Sequence, residues 1–209
     1  SLLASTEDLA GLPDDVLMAT AAAAKADGAA DGQHKLTLKM PVYLPVMQFA
    51  KSSTLRETLY KAYVTRASDQ SPDAQRALDN TSVMQSLVAL RQEEAKLLGF
   101  PHFAALSLAP KMADSSEQVQ AFLRDLAARA RPFAEKDLAD MRAFAKSELG
   151  LADPQAWDWP FISEKLKEAR YAFSEQEVKQ YFTFPKVLAG LFKIVETLFE
   201  VTIRPDTAP

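Results

Sequence analysis

The sequence predicts a mainly α-helical fold, on three observations. Apolar residues recur at three- and four-residue spacings over long stretches, at 83–98, 119–145 and 187–199, which is the repeat of one helix face. Only one stretch, near 35–40, alternates with the period of a strand. Glycine is scarce, 6 in 209 residues, and Gly28, Gly32, Gly99 and Gly150 all fall where a helical pattern stops.

Taken in order, Ser5, Thr6 and Asp8 are side chains suited to cap a short first turn. Pro13 stands where a first helical position tolerates a missing N–H, ahead of an alanine-rich helix over 14–27 that Gly28 and Gly32 end. Leu36, Leu38 and Met40 then alternate with Lys35, Thr37 and Lys39, which predicts one short strand or hairpin near 35–40 and no other strand. Pro41 and Pro45 punctuate the next segment. Ser52 or Ser53 caps a helix through Ala67 with Leu55, Leu59 and Ala62 or Tyr63 on one stripe, followed by the loop SDQSPDAQRALD.

Asn80 caps a further helix in which Val83, Met84, Leu87, Leu90, Ala95 and Leu98 repeat until Gly99 and Pro101 stop it. Ser115, with Gln118 at capping-box spacing, opens the longest element, whose stripe is Val119, Phe122, Leu126, Ala130, Phe133, Ala134, Leu138, Met141 and Ala145 before Gly150. Unbroken, it extends roughly 50 Å at about 1.5 Å per residue. Pro132 inside it removes a backbone hydrogen bond and predicts a kink or a split. Ser174 and Glu177 repeat the capping-box spacing, and Leu188, Leu191, Phe192, Val195, Leu198 and Phe199 make a last apolar helix. No repeat of 30 to 45 residues is visible.

Charge and composition remove several classes of function. With 24 basic against 28 acidic residues and a net charge of −4, there is no basic footprint for nucleic acid and no polybasic membrane patch. No apolar run approaches the ~18 residues of a membrane span. Absence of cysteine excludes a disulfide scaffold, thiol catalysis and thiolate zinc, and fits a reducing compartment. The opening SLLASTEDLAG carries acids where a signal peptide carries Lys or Arg, and without an initiator methionine it reads as an internal start.

Chemistry-bearing motifs are few. HExxH needs two histidines one helical turn apart, whereas His34 and His102 are distant in sequence and read as surface or capping histidines. Paired Glu-x-x-His motifs, GxGxxG, GxxxxGK[ST] and a G-x-S-x-G elbow are all absent. Asn80-Thr81-Ser82 matches a glycosylation acceptor but reads first as a helix cap. Asp14-Asp15, Glu93-Glu94 and the Glu164-Lys165-Lys167-Glu168 cluster suit acid–base or cation-binding work, yet solvated helix faces with i, i+4 pairs account for them with fewer assumptions. The aromatic group Trp157, Trp159, Phe161, Tyr171, Phe173, Tyr181, Phe182 and Phe184 suits either a peptide cleft or a core layer between helices, and the second is preferred because large aromatics dominate core burial.

Seven segments follow one another in a fixed order. They are LAGLPDDVL (9–17), LTLKMPVYLPVMQFA (36–50), LRETLYKAYVTRASD (55–69), the stretch from Asn80 through LVALRQEEAKLLGFPHFAALSLAPKMA to Ala113, FLRDLAARARPFAEKDL (122–138), WDWPFISEKLKEARYAFSEQEVKQYF (157–182) and KVLAGLF (186–192). Together they cover nearly the whole chain, and in order and spacing they resemble the middle of an M3-family zinc oligopeptidase, the thimet oligopeptidase family. The version VTRASD is similar to the bacterial oligopeptidase A branch rather than to the animal enzymes.

The resemblance implies a helical, two-lobed enzyme whose deep channel admits short unfolded peptides, with zinc held by HExxH and a later glutamate. Those residues lie C-terminal to the segments present, so no catalytic, cofactor-binding or metal residue is carried onto this chain. Where the family often has a Tyr-Tyr pair after the WD, Phe161-Ile162 lacks both hydroxyls. The expectation is then an internal fragment, 1–209, of a cytoplasmic oligopeptidase: a helical segment with a short strand (1–113), then a long helix and an aromatic-rich helical segment (114–209). It supplies scaffold and channel wall, binds no zinc and is inactive alone, while the parent uses Zn2+ to cleave short peptides. No nucleic-acid or membrane partner is expected, and exposed apolar faces are expected to drive self-association. The competing reading is an independent α-helical protein-interaction module with no enzymatic activity.

Overall fold

Leu2 pairs with Leu36 and Ser5 with Gln33, so that strand β1 (Leu2–Ser5) runs antiparallel to β2 (Gln33–Leu36) in a two-stranded sheet. The computed structural model describes residues 1–172 and 175–206, among which nine α-helices accompany this sheet. The mainly α class is therefore observed, with a short strand close to where alternation placed it. Two details differ. β2 stops at Leu36, because Met40 already begins helix α2, and its partner is not a hairpin arm but the chain's first residues, reached through helix α1 (Asp14–Ala26).

Two units are distinguished, 1–163 and 164–209. In the first, a one-turn 3-10 helix (Glu7–Leu9) leads to α1, which starts directly after Pro13 and ends at Ala26, two residues before Gly28. There the N–H of Gly28 reaches Lys25 O and that of Ala29 reaches Ala24 O, the paired bonds of a glycine C-cap. Helix α2 (Met40–Phe49) forms where prolines 41 and 45 read in the sequence as punctuation. It tolerates them since Pro41 lies in the first turn, where N–H groups have no helical partner, and Pro45 deletes only the bond to Pro41 O near that open end.

Helix α3 (Ser53–Val64) opens on Ser52, whose hydroxyl accepts from Leu55 N at 3.2 Å. It stops short of Ala67, which takes a left-handed φ of 55° while its carbonyl accepts from Asn80 N at 3.0 Å and closes the intervening loop. That loop contains a 3-10 turn (Asp73–Leu78). In α4 (Thr81–Leu97) Asn80 holds the cap position, but its side chain makes no capping bond. Asp79 does so instead: one carboxylate oxygen accepts from Thr81 N at 2.9 Å and Thr81 Oγ1 at 2.6 Å. Gly99 then closes α4 with the same glycine C-cap as α1, Phe100 N reaching Ala95 O.

After the short α5 (Phe103–Leu108), helix α6 (Ser116–Glu148) runs through Pro132 without splitting. Ser115 Oγ caps it by accepting from Gln118 N at 3.1 Å, while Gln118 Oε1 reaches back to Asp114 N at 2.8 Å, one residue before the position a capping box uses.

The main hydrophobic cluster of this unit is drawn from residues 4–59, and Trp157 packs against it from far along the chain. Leu9, Leu36, Val46, Met47, Ala50 and Leu59 are almost wholly removed from solvent, and Leu17, Leu38, Tyr60 and Trp157 lean on them. The loop at Gly11 passes so close to α2 that a Cβ there would stand 2.4 Å from Phe49 O, and its φ of 97° is a glycine conformation. Lys51 N donates to Ala10 O at 2.9 Å across the same approach. The stripes of α4 and α6 have the expected period, but they are not core. Only Ala95 and Ala145 are buried on these helices, and Met84 and Phe133 are 64% and 72% exposed.

Helix α7 (Trp159–Tyr171) begins in the first unit. The second holds its remainder with α8 (Glu175–Lys179) and α9 (Phe184–Phe199). α9 is amphipathic, with Lys186, Lys193 and Thr197 on one side, and on its apolar side Val187, Leu191, Ile194 and Leu198 are all exposed. The capping box expected at Ser174 falls outside the described residues.

Candidate functional site

The most highly organised polar group of the chain joins α3 to the start of α7. Arg56 sits beside Leu55 and three residues before Leu59, so the helical repeat carries it onto the buried side of α3. Its Nη2 meets Asp158 Oδ1 at 2.6 Å, and Nη1 donates to Ala50 O at 2.5 Å and Lys51 O at 3.2 Å, the carbonyls just past α2. A cation there also matches the negative end of the α2 dipole. The guanidinium lies 4.4 Å from the centroid of the Phe161 ring.

Asp158 is equally occupied. Oδ1 also accepts from Ser53 Oγ at 3.0 Å, and Oδ2 accepts from Gln155 N at 2.9 Å, while Ser53 Oγ accepts from Trp157 Nε1 at 3.1 Å. A buried ion pair is tolerated when its remaining hydrogen-bonding capacity is filled in this way. Arg56 Nε is the exception, a buried donor without a partner among the described residues. With serine, carboxylate and guanidinium all engaged in holding one another, and no histidine among them, the group positions backbone and offers no activated nucleophile. In the sequence Ser53 reads only as an alternative cap to Ser52 and Asp158 only as part of the WD pair, while Arg56 belongs to no chemical motif. The only signal was a charged residue on the apolar arc of α3 facing a tryptophan–aspartate pair far along the chain.

The two histidines are placed differently from one another. His102 is a capping residue, its Nδ1 accepting from Ala105 N at 3.1 Å. His34 is neither surface nor cap, which corrects the expectation: it is buried, with Nδ1 3.0 Å from Thr20 Oγ1 and Nε2 3.3 Å from Thr6 Oγ1. Its strand faces α1, and alternation turns this side chain inward with Leu36. With its hydroxyl proton directed at Val16 O (2.8 Å), the Thr20 oxygen is placed to accept a hydrogen bond from Nδ1–H of His34.

The acidic clusters also divide. Asp14 and Asp15 occupy the first turn of α1, where negative charge suits the helix dipole. Glu164 pairs with Lys167 at 2.7 Å and Lys165 with Glu168 at 2.8 Å, at i, i+3 rather than i, i+4. Glu164 is not on a solvated face. It is 3% exposed, and its Oε1 has no partner among the described residues.

The aromatic group does not form one layer. Phe161 is buried under Arg56, and Trp157 is half-buried 6.2 Å from Tyr60. Tyr171, Tyr181, Phe182 and Phe184 are exposed, and Phe173 lies outside the described residues. Ile162 has no exposure at all.

Among the described residues no three His, Cys, Asp or Glu side chains converge as metal ligands. Nor is any helix among them long and apolar enough to cross a membrane. The arrangement thus reads as a polar joint on a small apolar core, with long apolar helix faces beyond it. The sequence model of peptidase family M3 matches residues 46–209.

This chain belongs to peptidase family M3.

It is 46% identical over 208 residues to oligopeptidase A of Salmonella typhimurium, an overlap that takes in 99% of this chain and 30% of that protein. With Escherichia coli oligopeptidase A it shares 46% over 203 residues, 97% of this chain and 29% of that protein. The more distant dipeptidyl carboxypeptidase of Escherichia coli is 31% identical over 194 residues, covering 92% and 28%. The chain therefore spans about 30% of the length of the curated relatives it matches. The M3 match begins within α2 and includes the whole Arg56–Asp158 joint.

Proposed function

We propose that this chain is a non-catalytic scaffold and channel-wall part of a zinc-dependent M3 oligopeptidase that hydrolyses short peptides. The supporting observation is the coincidence of the family match with bare apolar faces on α4, α6 and α9, since contiguous apolar surface on a folded chain marks where another surface packs. In this reading the remainder of the enzyme lies against those faces, and the Arg56–Asp158 joint keeps the start of α7 in register with the small core. The residues present do not suit zinc: His34 and His102 are both engaged by neighbouring groups and belong to different parts of the first unit. The metal and the water it activates are assigned to the rest of the enzyme. A cytoplasmic location and the division into 1–113 and 114–209 belong to the same proposal.

The experiment compares a full-length protein containing this sequence with the 209-residue chain. Both are assayed on a library of short peptides with and without a chelator, and metal content is measured after dialysis. Chelator-sensitive cleavage by the full-length protein alone, with zinc bound there and not by the chain, is expected. A zinc-loaded full-length protein that cleaves no peptide removes the peptidase assignment. Metal-dependent turnover by the purified chain removes the scaffold assignment.

A further inference from the structure

We draw no further inference here: the strongest candidate, the exposed apolar stripe of α4 with the exposed first half of α6, has no occupant that the structure identifies beyond the enzyme remainder already proposed to cover it.

Discussion

Arg56 and Asp158 stand 102 residues apart in sequence, and their guanidinium and carboxylate meet at 2.6 Å with almost no access to solvent. Among the described residues each is the other's only full charge partner, so removing one leaves the other buried and uncompensated. Asp158→Ala is expected to cost about 3–5 kcal/mol of unfolding free energy. Pairing it with Arg56→Met is expected to recover much of that loss, because the stranded charge goes too. Urea unfolding of the two single variants and the double variant measures the coupling, and a double variant whose loss equals the sum of the singles would show that the pair does not act as a unit.

His34 and Thr20 carry a second expectation. With the Thr20 hydroxyl donating to Val16 O and accepting from Nδ1–H, Thr20→Val is expected to leave a buried ring N–H unpaired at a cost of about 1–3 kcal/mol. Nitrogen chemical shifts of the imidazole decide the tautomer directly. Protonation of the neutral ring at Nε2 rather than Nδ1 would contradict the hydrogen-bond assignment.

The start of α4 gives a pH-dependent expectation. Hydrogen bonds from the Thr81 hydroxyl, and then from its backbone N–H, hold the Asp79 carboxyl below the usual aspartate range. A group whose folded pKa is depressed stabilises the fold above its unfolded value, about 3.9, and that contribution disappears as pH falls through the folded value. Asp79→Ala is therefore expected to lower the urea midpoint at neutral pH, with the variant and the parent chain converging in acid. Asn80→Ala, which removes no capping bond, is expected to change the midpoint little at any pH. Equal losses at both positions would return the cap to Asn80.

Much of the helical framework was legible because its signals are local. Ser52 and Ser115 accept the N–H three residues on, and Gly28, Gly99 and Gly150 take positive φ at helix ends, as the residue types imply. What local pattern conceals is partnership. Leu2–Ser5 is too short to display an alternation and becomes a strand only because Gln33–Leu36 lies beside it. Met40–Phe49 is helical against two prolines because Tyr43, Val46, Met47 and Phe49 enter the core. The joint was hidden for the same reason: neither Arg56 nor Asp158 has a meaning until the two ends meet. Conversely, periodicity found the stripes of α4 and α6, and it says nothing about whether a partner surface covers them.

Gly11 is the position where a single methyl group should matter most. A Cβ would meet Phe49 O at 2.4 Å, which is backbone and cannot swing aside, and φ of 97° strains any other residue. Gly11→Ala is expected to destabilise the chain by at least about 1–3 kcal/mol, the cost of the backbone strain alone. Gly28→Ala makes the control, since its Cβ meets nothing within 4 Å and only the φ of 78° opposes it. A thermal midpoint lowered no further by Gly11→Ala than by Gly28→Ala would mean that the loop at 10–11 does not approach α2 as described.

Val83, Met84, Leu90, Phe122 and Phe133 are each more than half exposed, on two helices that bury only one alanine apiece. Apolar area contributes roughly 25 cal/mol per Å2 when it leaves water, so faces of this length favour association of the isolated chain with itself. Light scattering is expected to give an average mass that rises with concentration above the monomer, together with binding of an apolar dye. Met84→Glu combined with Leu90→Lys places charges on the α4 stripe without touching a buried residue. Surface changes of this kind usually alter folding by no more than about 0.5 kcal/mol each, so lost association is separable from lost structure by circular dichroism. If the scaffold reading holds, the same pair of substitutions in the full-length protein also lowers peptidase activity, because there the stripe packs against the rest of the enzyme. A clean monomer at high concentration that takes up no dye would instead show that these faces are satisfied within the chain, as an independent module requires.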